Sequence, residues 1–191
     1  MVSARLLGVL ALLAVAGCHR AALPDDLGEV PAFRLTERSG QAFGSEELRG
    51  RIWVANFIFT SCPDVCPALT AQMRRLDGLL EASERPMRVS ISVDPVRDTP
   101  EALTRYAGQH GVGTDWYLLT GDRAAIATLL ADGFRVAFAD GGPPERPITH
   151  SDRFVLVDER LRIRGYYHGQ IDEDLERLAR DVRTLRAATT S

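Results

Sequence analysis

The polar and apolar positions of this chain follow two rhythms. Ile52-Trp53-Val54-Ala55-Asn56-Phe57-Ile58-Phe59 is apolar almost throughout and rich in β-branched and aromatic side chains, the composition of a strand buried on both faces beneath helices. Met87, Val89, Ile91 and Val93 alternate with polar residues and predict a strand over Met87–Val93. Between these two, Leu69, Met73, Leu76 and Leu80 recur at helical spacing, so a helix follows Cys66. Asp98-Thr99-Pro100-Glu101 opens another helix, with Asp98 or Thr99 as its cap and Pro100 in its first turn; Leu103, Tyr106 and Ala107 form its buried stripe. Trp116–Leu119 reads as a short strand, and Ile126, Leu129 and Leu130 mark a short helix. Phe154–Val157 and Leu161–Tyr167 predict an antiparallel pair around a tight Asp158-Glu159-Arg160 turn. Ile171, Leu175, Leu178, Val182 and Leu185 fall on one face of a final helix, and upstream Phe33-Arg34-Leu35 and Ala42-Phe43 suit a short hairpin.

The order is strand, helix, strand, helix, then a closing hairpin and helix. It predicts an α/β thioredoxin-like sandwich: a central mixed sheet flanked by helices, with an N-terminal hairpin and an inserted helix-strand segment. Other α/β folds share the opening half of this order.

The N-terminus has a different character. Arg5 precedes the apolar run Leu6–Val15, and Val15-Ala16-Gly17-Cys18 follows. This is the pattern of a secretory signal, too short for a comfortable membrane span. The Ala-Gly-Cys ending resembles the lipobox of bacterial lipoproteins, which implies cleavage after residue 17 and lipidation of Cys18; the alternative is an uncleaved membrane anchor. Residues 18–30, mixed in Pro, Gly and acidic side chains, are expected to be a flexible tether, leaving 31–191 as one domain outside the cytoplasm, at the periplasmic face of a membrane. Gly141-Gly142-Pro143-Pro144 is the obvious irregular loop.

Composition narrows the chemistry. The net charge is -3 and no basic run appears, which argues against nucleic-acid binding. Every basic residue is Arg; the absence of Lys excludes Schiff-base chemistry and a Walker-type phosphate loop. Of the 3 cysteines, Cys18 would be taken up by the lipid, leaving Cys62 and Cys66 as a close pair. Such a pair points to redox chemistry or metal binding.

Thr60-Ser61-Cys62-Pro63-Asp64-Val65-Cys66-Pro67 lies between a buried strand and a helix. Residues four apart share a helix face, so both sulfurs can address one site, where the positive end of the helix dipole favours thiolates. Thioredoxin-type redox sites have two intervening residues. Three favour two sulfurs converging on a metal, although a disulfide remains feasible. A two-sulfur metal site calls for a third ligand. His19 falls in the tether, His110 at a helix end and His168 at a strand end, each with a structural reading. His150 precedes the Arg153–Val157 strand in what reads as a loop, which in a thioredoxin-like fold faces the cysteines, and it is the expected ligand.

With these residues in place, a family resemblance becomes specific. Phe57-Ile58-Phe59-Thr60-Ser61-Cys62-Pro63-Asp64-Val65-Cys66-Pro67 resembles the signature of the Sco (SenC) family almost residue for residue. Ser92-Val93-Asp94-Pro95 with Asp98-Thr99-Pro100 resembles its second motif, and Thr149-His150-Ser151 its third; the likeness runs from about Pro31 to Leu185. It implies a thioredoxin fold and a copper site, for Cu(I) or Cu(II), made by Cys62, Cys66 and His150. It also implies delivery of that copper to the binuclear copper centre of cytochrome c oxidase subunit II. Thr149 stands where some members carry an acidic residue, with Asp152 nearby to orient the ring instead, and Arg160-Leu161 stands where the hairpin turn often carries Gly. Asp94 and Asp98 read as a strand end and a helix cap, or as groups that shape the site.

Three other readings compete. A thiol-disulfide oxidoreductase would need only Cys62 and Cys66, and would keep the acceptor's cysteines reduced. A peroxiredoxin-like peroxidase would use one low-pKa cysteine with an Arg. A three-ligand site could also hold Zn(II).

Overall fold

The computed structural model describes residues 22–62, 65–140 and 148–189. The leader, Cys18, His19 and the Gly141–Pro144 loop lie outside the described residues. A mixed seven-stranded sheet runs in the order β2-β1-β5-β4-β3-β8-β9. Its strands are β1 (Arg34–Glu37), β2 (Ala42–Gly44), β3 (Trp53–Ile58), β4 (Met87–Ser92), β5 (Trp116–Thr120), β8 (Arg153–Val157) and β9 (Ile163–His168). β6 (Phe138–Asp140) and β7 (Ile148–His150) form a separate antiparallel ribbon.

β3 is central, and all of its residues are buried, as its unbroken apolar sequence predicts. It pairs in parallel with β4 and antiparallel with β8. This sets one end of the sheet. The ends of β3 and β4, the start of β8 and the end of β9 all lie together there. Polar links stitch the middle strands: Trp116 Nε1 donates to Ser90 Oγ at 2.8 Å, and Ser90 Oγ donates to Asn56 Oδ1 at 2.5 Å.

The helices are α1 (Val65–Gly78), α2 (Pro100–His110), α3 (Arg123–Thr128) and α4 (Asp172–Thr189). α1 packs against both α2 and α4. Thr99, of the two predicted caps, is the one that caps α2, accepting from Ala102 N–H at 3.3 Å. Gly111 ends that helix at φ 64°, a left-handed conformation natural to glycine. The short helix predicted near Ile126 is α3 continued by a wider π-type turn over Leu129–Phe134, which drives Phe134 edge-on against Trp53 and Phe57.

The structure departs from the sequence expectations in a few places. Leu27–Val30, expected within the tether, runs beside β9: Leu27 N–H donates to Ile163 O, Ile163 N–H to Gly28 O and Val30 N–H to Leu161 O. Asp26 pairs with Arg162, and Val30 is fully buried, so this segment covers the sheet edge and belongs to the folded body. Ile171 precedes α4 and is exposed, outside the stripe of Leu175, Leu178, Val182 and Leu185. The hairpin turn without glycine places the buried Leu161 at φ 62°, and Asp158 holds it there by accepting from the N–H groups of Arg160 (2.8 Å) and Arg162 (2.9 Å).

Candidate metal centre

Strand β3 delivers its chain into Phe59-Thr60-Ser61-Cys62, and α1 begins three residues after Cys62. Cys62 N–H donates to Phe59 O at 3.2 Å, which curls the loop back. The Cys62 sulfur then accepts the N–H of Cys66 at 3.4 Å, so it occupies the position of a helix-capping acceptor over the first turn of α1. Cys62 is partly exposed and Cys66 is buried; they are not joined in a disulfide.

The environment of Cys66 differs from the expectation that the helix dipole would favour its thiolate. Burial pushes its thiol well above the ordinary range, more than the nearby Phe59 backbone contact lowers it. Desolvation wins because the site end is packed. Thr70 Oγ1 donates to Cys66 O at 2.9 Å and lies 2.7 Å from the hydroxyl of Tyr106, whose ring meets that of His110 at a tilt, with centroids 4.2 Å apart. The first turn of α1 is thereby clamped to α2, and His110 has the helix-end role its position predicts.

Asp98, read from sequence as a helix cap or as a group that shapes the site, takes the second role, while Thr99 caps α2. Asp98 is fully buried and braces the cysteine loop from the segment that follows β4. Thr60 N–H donates to both of its oxygens (3.2 and 3.1 Å) and Thr60 Oγ1 to one (2.6 Å), while Ser92 Oγ donates to the other (2.6 Å). Burial raises its pKa above the usual carboxylate range despite these donors. Asp94 ends the strand with its carboxylate on Arg97 at 2.7 Å. The signal available in the sequence was an acid just past a strand adjacent to β3, but that alone does not reveal which loop it meets.

His150 is the last residue of β7, paired to Phe138, where a loop was expected; the ribbon is completed by Ser151 N–H donating to Ala137 O at 3.0 Å. Its backbone therefore enters the sheet through β8 at the end where β3 releases the cysteine loop. Its side chain lies outside the description. Among the described residues no group of three His, Cys, Asp or Glu forms a ligand cluster. The described half of the candidate site is the sulfur pair. Asp152 meets another histidine: its oxygens lie 3.1 and 3.2 Å from His168 Nδ1.

A mixed sheet with a Cys-x-x-x-Cys loop between a central strand and the following helix defines a dithiol protein of the thioredoxin-like α/β class. More narrowly, the chain belongs to the SCO1/SenC family, whose model matches residues 23–187. It is similar to a SCO1/SenC family lipoprotein from Bacillus anthracis, with 32% identity and a TM-score of 0.79 over 86% of this chain and 99% of that one. BsSco, a Sco-family cytochrome c oxidase assembly protein in which a disulfide switch was identified, is 30% identical with a TM-score of 0.72 (85% and 98% covered). The copper-bound ScoI of Bradyrhizobium japonicum is 25% identical with a TM-score of 0.66 (83% and 99% covered). The family is one of copper proteins of cytochrome c oxidase assembly.

Proposed function

We propose that this chain is a membrane-tethered copper chaperone. It binds one copper ion through Cys62, Cys66 and His150 and hands it to the binuclear copper centre of cytochrome c oxidase subunit II, or to another extracytoplasmic acceptor. The carrying observation is the pair of sulfurs one helical turn apart, at the sheet end into which β8 feeds the chain from His150. Two soft sulfurs with an imidazole suit copper. Residues 1–17 serve as the signal, and a lipid on Cys18 holds the protein at the periplasmic face; among the described residues no helix is long and apolar enough to cross a membrane.

Loading requires both thiols to lose their protons. At Cys66 burial opposes that loss, so the incoming cation supplies the charge that makes the buried thiolate stable. Transfer proceeds by exchange of ligands with those of the acceptor, for which the half-exposed Cys62 is the accessible end. Direct contact is favoured by the rim. Val65 (37% exposed), Val96 (71%) and Ile171 (44%) are three of the four large apolar residues exposed among the described ones, and all lie at the site end.

The division between an accessible Cys62 and a buried Cys66 also favours a second reading, thiol-disulfide exchange. The Cys62 thiolate attacks an acceptor disulfide, and Cys66 resolves the mixed disulfide. The acceptor leaves as a dithiol and a Cys62–Cys66 disulfide remains.

Copper titration of the reduced chain, with Cys18→Ser, beside His150→Ala tests the choice. One equivalent bound, with a thiolate-to-Cu(II) absorption band that His150→Ala loses or strongly alters, supports the chaperone. Weak and equal binding by both proteins, with reduction of a model disulfide intact, leaves the oxidoreductase.

A further inference from the structure

His168 closes β9 opposite Arg153, at the sheet end shared by the cysteine loop. Its backbone and its ring have separate duties. The backbone N–H donates to Asp174 Oδ2 at 2.7 Å, and Ile171 N–H donates to His168 O at 3.2 Å, which together make the turn into α4. Any residue could serve that turn. The ring is instead turned onto Asp152, whose oxygens lie 3.1 and 3.2 Å from Nδ1.

Several features place and orient this ring. Gly169 N–H donates to Asp152 O at 3.0 Å, tying the two segments beside the pair. Gly169 also sits so close to α1 that a Cβ there would meet Leu69 Cδ2 at 2.4 Å, and Leu69 lies one turn beyond Cys66. Asp152 is two residues beyond His150. A carboxylate on Nδ1 fixes the tautomer that carries its lone pair on Nε2, the arrangement by which proteins orient imidazoles toward metals. The histidine side chain is 39% exposed and the aspartate 34%, so the pair adds little to stability while the ring stays accessible to solute.

We propose that His168, oriented by Asp152, is an accessory copper ligand at the rim of the site, a weak Cu(II)-binding imidazole that takes copper on entry and exit. The proposal rests on the chaperone reading only for the identity of the cargo.

The full chain carrying Cys18→Ser is first oxidised so that a Cys62–Cys66 disulfide removes the sulfur site, and is then titrated with Cu(II) chloride. Electron paramagnetic resonance follows the bound Cu(II), and NMR line broadening follows each histidine ring. The expected result is a weak Cu(II) equivalent with nitrogen coupling that broadens His168 at substoichiometric copper. His168→Gln should lose it, and Asp152→Asn should weaken it about 10-fold. Circular dichroism confirms that both variants fold, and Asp152→Asn keeps the test alive if His168→Gln does not. Unchanged Cu(II) binding by the folded variants, or broadening confined to the other histidines, overturns the proposal. A parallel arm with reduced protein separates the two claims: loss of tight copper binding there sinks the chaperone reading, while the oxidised arm still reports on His168.

Discussion

The two ends of β4 surround their buried groups differently. At its start, Arg88 is buried between two carboxylates, with one guanidinium nitrogen on Asp77 of α1, another on Asp115 ahead of β5, and its plane over Trp116 at 5.2 Å. The charges there are opposite in sign and come from three segments, with Asp115 largely exposed. Just past its other end, Asp98 is buried against an amide and two hydroxyls, and Cys66 is buried as a thiol. Burial shifts both acids toward their neutral forms. One end of the sheet thus answers a buried cation with two carboxylates, although burial still pushes Asp77 toward its neutral form. The other holds acids that a cation would stabilise, which suits an end proposed to receive copper.

Breaking the ion-paired end has the largest expected effect. Arg88→Ala removes a buried guanidinium and leaves the partly buried Asp77 without it, so urea unfolding should report a loss of about 3 kcal/mol. Copper binding by the folded fraction should not change, and a variant that lost copper while keeping its stability would refute the division of labour. Gly169→Ala tests the site end through packing. Its new methyl group meets Leu69, Asp152 O and Phe154, and a loss of about 1–3 kcal/mol is expected from thermal unfolding. Thr99→Ala removes the cap of α2 and with it about 1 kcal/mol, readable as a lower denaturant midpoint.

The smallest effect concerns the ionisation of Asp98. Because the folded pKa of Asp98 is raised, its contribution to stability is full below the ordinary carboxylate value of 3.8 and is lost as pH rises through the folded value. Asp98→Asn cannot ionise. Stability curves taken upward from about pH 4 should therefore show wild type losing ground to Asp98→Asn. Parallel curves would mean that Asp98 is not buried as described. Removing the brace from Thr60 should also lower copper affinity, by about 10-fold.

Much of the fold could be read from local patterning. The apolar run of β3, the alternation in β4 and the spacing of Leu69, Met73 and Leu76 each report which face of an element is buried, and burial is a property that a residue's own chemistry largely dictates. The cysteine loop was legible for the same reason: it is contiguous, and its geometry follows from a strand running into a helix. Partnership across the fold was not legible. Asp98 meets Thr60 from 38 residues away, and Asp152 meets His168 from 16 away. Leu27–Val30 finds the edge of β9 although its composition reads as linker, and the segment at His150 becomes a strand by pairing with β6.

By itself, then, the sequence determined the elements, their order and the paired sulfurs, because side-chain period and spacing are local. Only the tertiary structure decided which buried acid braces the cysteine loop, which carboxylate orients which imidazole, and whether the helix end or burial governs the Cys66 thiol. Those outcomes depend on strand register and on how completely neighbouring elements exclude water, and neither is written in any single stretch of the chain.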